Sequence, residues 1–121
     1  MDDKVEISEL VLTSLPYLIV LFESCTNKPL FYSLLNKKKL IHSLSEIVYN
    51  LVHNHFKLTG GQKRKLQRHK KYLCILAEKN HFQRKREILK GQRGGSVVHS
   101  ILSITLPNLI LTANGSTFSG E

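Results

Sequence analysis

Residues 38–57, KKLIHSLSEIVYNLVHNHFK, carry the clearest structural pattern in the chain. Apolar residues recur there with the i, i+3, i+4, i+7 spacing that places side chains on one face of an α-helix, and polar residues take the other face. The pattern predicts a strongly amphipathic helix that packs within a small helical core. Its apolar positions are Leu40, Ile41, Leu44, Ile47, Val48, Leu51, Val52 and Phe56.

The residues before this stretch predict two further helices. Residues 5–24 are mainly apolar, and Pro16 predicts a break or kink within that helix because proline cannot donate the backbone hydrogen bond. Pro29 opens the second helix, since proline is favoured at the first helical positions. Segment 1–58 is therefore predicted to form an N-terminal helical module.

Two basic helices are predicted after this module. Thr59 and Gln62 have the spacing of a capping box, which predicts a helix over residues 61–78. A shorter helix is predicted over residues 81–90. Segment 59–95 is therefore predicted to form a basic helical hairpin.

Segment 96–121 has a different composition, because an apolar stretch is followed there by small polar residues. The apolar residues have helical spacing, their β-branched content makes a strand the alternative, and Pro107 limits either element. Residues 112–121 are predicted to be a disordered tail. Taken together, the pattern predicts an all-α protein made of a helical module, a basic hairpin and an apolar C-terminal segment.

Positive charge is concentrated between Lys57 and Gly95. That stretch holds 13 Lys and Arg against two Glu, a net charge of +11, whereas the 121-residue chain as a whole has a net charge of +9. Like charges at this density repel one another, and a polyanion is the commonest partner that relieves the repulsion. We therefore expect binding to the phosphate backbone of a nucleic acid. The expected contact residues are Lys63, Arg64, Lys65, Arg68, Lys70, Lys71, Arg84, Lys85, Arg86, Lys90 and Arg93.

The residue types that support catalysis or metal binding are not arranged for either. His53 and His55 are two positions apart and so face different sides of a helix, while Cys25 and Cys74 belong to no Cys-x-x-Cys pair. No Ser-His-Asp order, phosphate-cradling glycine loop or paired carboxylate is found. We therefore expect no catalytic residues, no metal site and no cofactor, and hence no enzyme.

The end of the basic stretch resembles a viral sequence. Gln92-Arg93-Gly94-Gly95 follows a segment dense in Lys and Arg and precedes an apolar stretch that is broken by proline. Over about residues 63–111, this arrangement is similar to the precursor of the adenovirus core protein X. It is also similar to short late proteins of Polinton and adintovirus-type elements. The segment differs from the adenovirus protein in being rich in Lys, whereas that protein is rich in Arg.

The resemblance implies a function, a partner and a location. It implies a core-like protein that binds and condenses double-stranded DNA without sequence preference, in the host nucleus or the virion. It also implies processing by a viral cysteine protease, which accepts a medium-sized apolar residue, Asn or Gln, then any residue and Gly-Gly before the cut. The processing site would then be Gln92, Arg93, Gly94 and Gly95, with cleavage after Gly95. A flexible linker is the alternative interpretation of the Gly-Gly pair.

Two other classes of function remain open on the sequence. The first is a membrane-associated protein with residues 10–22 and 97–111 as apolar anchors and the basic stretch on anionic lipid. In that case the C-terminal apolar segment would contact the membrane, whereas otherwise it packs on the N-terminal helices. The second is a scaffold that binds a partner through the helix at residues 40–56.

Overall fold

The computed structural model describes residues 8–79 and 81–118, with side chains up to residue 113. All regular structure in these ranges is α-helical, which confirms the predicted all-α class. The helices are α1 (Glu9–Glu23), α2 (Lys28–Leu35), α3 (Lys38–Val52), α4 (Gly60–Gln67), α5 (Lys70–Ala77), α6 (Phe82–Leu89) and α7 (Gly94–Phe118).

Helix α3 lies at the centre of the packing, because α1, α2, α5 and α6 all contact it. Its predicted apolar stripe is buried, with Leu44, Ile47 and Val48 fully enclosed. Val52 lies at the end of the stripe and is 39% exposed, so the buried face ends there. The amphipathic helix predicted from residues 38–57 is therefore confirmed, although it ends at Val52.

A Schellman motif ends α3. Asn54 adopts a left-handed conformation with φ 61°, and its N–H donates to the carbonyl of Leu51 at 3.2 Å. The N–H of His55 donates to the carbonyl of Asn50 at 2.9 Å, which completes the motif. The turn directs Phe56 back into the core, where it is buried.

The start of α1 is tied to α3. Ser8 caps α1, because its Oγ accepts a hydrogen bond from the N–H of Val11 at 3.4 Å. The Glu46 carboxylate accepts two hydrogen bonds from Ser8, from the backbone N–H at 3.0 Å and from Oγ at 2.7 Å. Pro16 lies inside α1 without ending it, since the helix is continuous from Glu9 to Glu23.

The predicted helix 61–78 is divided in two. Its capping box is confirmed: the Thr59 N–H donates to Gln62 Oε1 at 2.9 Å, and the Gln62 N–H donates to Thr59 Oγ1 at 3.1 Å. The helix is then interrupted at Arg68 and His69, which separates α4 from α5. The interruption lets α4 pack on α7 and α5 pack on α3, which lie in different parts of the core. The basic segment therefore contains three helices, α4, α5 and α6, where two were predicted.

Helix α7 is a core element that contacts α1, α4 and α6. Val97, Ile101 and Leu102 are fully buried, so the apolar C-terminal segment is a helix packed on the rest of the fold. The predicted disorder at residues 112–118 is wrong, because α7 continues to Phe118, and residues 119–121 lie outside the described ranges. By length and composition, α7 is the one described helix that could span a membrane, over Gly94–Ala113, and half of that window is buried within the fold.

The Gly-Gly pair begins α7 and does not form a linker. A Cβ added at Gly94 would overlap the backbone carbonyl of Leu89, and one added at Gly95 would lie 2.9 Å from the carbonyl oxygen of Cys25. Both glycines therefore allow two backbone segments to approach more closely than an L side chain permits. The interpretation of this pair as a flexible linker is wrong for this reason.

We predict that Gly94→Ala lowers the free energy of unfolding by about 3 kcal/mol, because the new methyl group displaces the backbone at Leu89. Gly61→Ala is the matched control, since its new Cβ meets no atom closer than 3.9 Å. The free energy of unfolding of the control is expected to lie within about 1 kcal/mol of the wild-type value. Chemical denaturation measures both, and equal stability of the two variants would contradict the packing role of Gly94.

Candidate nucleic-acid interface

The structure separates the predicted contact residues into exposed and enclosed cations. Lys65, Arg86 and Lys90 are half-buried, and Lys85 is buried. The exposed cations are the most accessible to a large ligand, and half-buried Lys65 is accessible in part. The exposed cations are Lys63, Arg64, Arg68, Lys70, Lys71, Arg84 and Arg93.

Helix α4 places several of these cations on one surface. The helix buries only Leu66, so its other side chains lie at the surface of the fold. Arg68 lies at the border of two neighbouring cavities and so joins their linings into one surface. We call the cations of this surface the α4 patch: Lys63, Arg64, Lys65, Arg68 and Arg93.

The charges of the α4 patch are not neutralised by the part of the chain that the structure describes. No described carboxylate lies within 4.0 Å of these five cations. The nearest polar contact is neutral, with Lys65 Nζ donating to Ser103 Oγ at 3.4 Å. Because four of the five cations are exposed and none has a described carboxylate partner, the patch presents a concentrated positive potential to an approaching anion.

Lys85 does not belong to this surface. Its side chain is 3% exposed, and its ammonium group donates to Ser45 Oγ at 3.1 Å and to the backbone carbonyl of Glu78. Burial lowers the pKa of Lys85, and the nearby Glu78 carboxylate partly opposes that shift. The prediction that Lys85 contacts nucleic acid is therefore corrected: its charge stabilises the carbonyl end of α5.

Arg86 and Lys90 also face the protein. Arg86 donates to the backbone carbonyl of Asn36 at 3.4 Å, and its guanidinium lies 4.4 Å from the ring centroid of Phe82. Lys90 Nζ donates to Asn36 Oδ1 at 2.7 Å. Asn36 is the C-cap of α2, so both cations lie at a helix end that carries partial negative charge. These two predicted contact residues thus hold α6 against α2.

The remaining exposed cations lie outside the α4 patch. Lys70 and Lys71 are in the first turn of α5, and Arg84 is on α6. Lys70 borders an apolar cavity of about 460 Å³ whose lining includes Leu51 and Leu73. These residues add positive charge to other parts of the surface without joining the patch.

The predicted processing site spans the start of α7. Gln92 and Arg93 are exposed in the turn before the helix, whereas Gly94 is buried and Gly95 is half-buried. A protease binds its substrate in an extended conformation. The bond after Gly95 therefore lies within a folded helix, and cleavage there would require the first turn of α7 to open.

A polar cavity that was not predicted from the sequence lies next to the patch. His69 is 9% exposed and lines this cavity, with its Nε2 3.2 Å from Ser100 Oγ and its Nδ1 without a partner. Burial, together with the charges of Arg68, Arg93 and Lys65, lowers the pKa of His69 below its usual value of 6.5. No sequence signal could join these residues, because His69, at the junction between α4 and α5, and Ser100, on α7, are far apart in the chain.

The histidines and cysteines named from the sequence have structural surroundings. His53 Nδ1 lies 2.8 Å from the carbonyl of Tyr49, and His55 Nδ1 lies 2.6 Å from Asn50 Oδ1, so both histidines belong to the end of α3. Burial raises the pKa of Cys25 to about 11, so this thiol is protonated at neutral pH and is not an activated nucleophile. Within the described ranges, no group of three or more His, Cys, Asp or Glu could hold a metal ion.

Comparisons of the chain with family models, curated proteins and solved structures find no match. The geometry of this chain is therefore the basis for its proposed function. The α4 patch is the surface on which it depends most, because its exposed cations converge without a carboxylate partner.

We predict that His69 is neutral in the folded protein at pH values where the imidazole of the unfolded chain is protonated. Because the unfolded chain then binds more protons, stability falls as the pH falls from 6.5 toward the folded pKa. The free energy of unfolding of the wild type should fall between about pH 7.5 and about pH 5.5, and His69→Gln should make this fall smaller. Denaturation curves at the two pH values measure this fall, and an unchanged fall in the variant would contradict the prediction.

Proposed function

We propose that this chain binds nucleic acid along the phosphate backbone, without reading base sequence. The observation that carries the proposal is the α4 patch, in which five cations from α4 and the start of α7 share one surface without a carboxylate partner. Phosphates supply the missing negative charge, and release of the counterions that surround the nucleic acid favours binding. Arg side chains bind phosphate oxygens in pairs, and Lys side chains act as point charges.

The composition of α4 favours contact with phosphates over contact with bases. Base edges are read mainly by Arg, Asn and Gln side chains inserted into a groove. Gln62 is occupied in the capping box, where its Oε1 accepts the Thr59 N–H. Gln67 is then the one amide side chain that α4 has available beside its cations. This supports a backbone-binding surface that treats different sequences alike.

The proposed partner is double-stranded DNA, which the protein would condense as the resemblance to adenovirus core proteins implies. Condensation requires that one protein contact more than one duplex segment. Lys70, Lys71 and Arg84 are exposed outside the α4 patch and supply cations for a second contact. The proposed location in the host nucleus or the virion depends on the same resemblance.

Processing after Gly95 is part of this proposal. Because the cleavage site begins α7, cleavage by a viral cysteine protease requires that the first turn of α7 unwind. Removal of α7 would also take away a core helix that buries Val97, Ile101 and Leu102. The proposed cleavage would thus convert a packed protein into a basic fragment with an incomplete core.

The length and hydropathy of α7 favour membrane association as a second candidate function. The helix could span a bilayer over Gly94–Ala113, and Leu111 near its end is 68% exposed. However, α7 packs against α1, so the two proposed anchors, residues 10–22 and 97–111, cover each other. Membrane insertion would require them to separate. Flotation with anionic vesicles, compared with a DNA gel shift at the same salt concentration, distinguishes the two functions.

We predict that the affinity for duplex DNA falls with salt concentration with a log–log slope of about −4 to −5, since about five phosphates are neutralised by the α4 patch. The triple substitution Lys63→Ala, Arg64→Ala and Arg68→Ala should make the slope shallower by about 2 to 3. It should weaken binding to unrelated sequences to the same extent. Fluorescence anisotropy over a series of salt concentrations measures both effects.

The matched control is the triple substitution Lys37→Ala, Lys38→Ala and Lys39→Ala. It removes the same charge from exposed positions at the start of α3, which border a different cavity beside Tyr17. The control should retain most of the wild-type slope. An equal change in both variants would show that net charge alone, without the α4 patch, determines binding, and a wild-type slope shallower than about −2 would exclude the proposed function.

A further inference from the structure

A cavity of about 600 Å³ lies where the first turn of α7 meets the junction between α4 and α5. The cations Lys65, Arg68 and Arg93 border it, and its other polar lining includes His69, His99 and Ser100. No carboxylate contributes to this lining, and Cys25, which also borders the cavity, carries a protonated thiol at neutral pH. The charged groups that face the cavity are therefore all positive.

The start of α7 supplies hydrogen-bond donors to this cavity. Gly95 and Ser96 both border it, and neither donates its backbone N–H to another residue in the part of the chain that the structure describes. The first N–H groups of a helix have no partner within the helix and carry partial positive charge. Anions bind readily at such a position.

His69 gives independent evidence for a missing ligand. Its side chain is 9% exposed and lines the cavity, yet its Nδ1 is buried without a hydrogen-bond partner. Buried polar atoms are nearly always paired, since an unpaired one costs about 1–3 kcal/mol. In the neutral ring, Nδ1 carries the proton when Ser100 Oγ donates to Nε2, and it is an acceptor when Nε2 donates to Ser100 Oγ. The unpaired Nδ1 is therefore an unsatisfied polar atom in a side chain that lines the cavity.

We propose that this cavity binds one phosphate group, held by the first N–H groups of α7 and by Lys65, Arg68 and Arg93, with His69 in the cavity wall. The inference deepens the proposed function, on which it rests, because it identifies the position where one backbone phosphate of the nucleic acid is fixed. Arg68 belongs to both the cavity and the outer part of the α4 patch. A phosphodiester chain that lies along the α4 patch would therefore be near cations all the way to the cavity.

The direct test is titration of the 15N-labelled full chain with inorganic phosphate at constant ionic strength, followed by NMR. The expected result is a saturable shift of the Gly95 and Ser96 amide signals, together with a rise in the pKa of the His69 imidazole as the anion approaches it. Arg93→Gln should weaken phosphate binding about tenfold or more, since it removes a charged hydrogen-bond donor. Arg84→Gln, which removes an exposed cation outside the cavity, should bind as the wild type does.

Two results would overturn the inference. One is the absence of a saturable shift at Gly95 and Ser96, and the other is an equal loss of phosphate affinity in Arg93→Gln and Arg84→Gln. The NMR spectrum of Arg93→Gln is compared with that of the wild type before phosphate is added. If the variant is folded, a loss of phosphate affinity comes from the site and not from unfolding. Chloride at the same ionic strength should not reproduce the shifts, and their appearance with chloride alone would also contradict a phosphate site.

Short duplexes with and without a 5′-phosphate distinguish the two sources of the phosphate group. A backbone phosphate predicts the same amide shifts with both duplexes, whereas shifts with the 5′-phosphorylated duplex alone would overturn the assignment to the backbone. The inference and the proposed function can also fail separately. Duplex binding with a steep salt dependence but no shift at Gly95 overturns only the inference. A phosphate response without duplex binding overturns the proposed function.

Discussion

Repulsion among like charges is the constraint to which the rest of this structure responds. Between Lys57 and Gly95 there are 13 cations and two carboxylates, so most of the cations cannot form ion pairs within that stretch. The fold separates them into two groups. Lys85, Arg86 and Lys90 point toward backbone or side-chain oxygens at the ends of α5 and α2, where helix dipoles are negative. In the α4 patch, four cations are exposed to solvent and Lys65 is half-buried.

The apolar helices determine which cations belong to which group. Helix α6 packs between α3 and α7 and so encloses Lys85, whereas α4 contacts the core mainly through Leu66 and stays at the surface. The interruption at His69 lets α4 and α5 follow different core helices. The close approach at Gly94 then brings Arg93 and the start of α7 beside α4. The positive surface is thus a consequence of how the hydrophobic core closes.

The local signals in the sequence predicted much of the helical structure. The spacing in residues 38–57 indicated the central helix, and Thr59 with Gln62 indicated a cap that forms as expected, because both signals depend on nearby residues alone. The interruption at His69 and the burial of Lys85 were not predictable in this way. Both depend on contacts with residues that are distant in sequence, such as Ser100 and Ser45. Charge counting therefore overestimated the number of cations that are free to bind a ligand.

The same distinction applies to the candidate site. A run of Lys and Arg indicated the kind of ligand, since charge is a property of composition. The position of the candidate site depends on the convergence of α4 with the start of α7, which only the tertiary structure provides. The Gly-Gly pair illustrates the difference: the sequence suggested a linker or a cleavage site, whereas close backbone packing at Leu89 and Cys25 gives both glycines a structural role.

The central claim is that the enclosed and exposed cations differ in function although they are adjacent in the sequence. Mapping of the duplex DNA contact by amide hydrogen exchange on the intact chain tests this most directly. The account predicts protection on DNA binding at α4 and the first turn of α7, with α6 unchanged. Protection centred on α6 around Lys85, or no protection in any helix at low ionic strength, would contradict it.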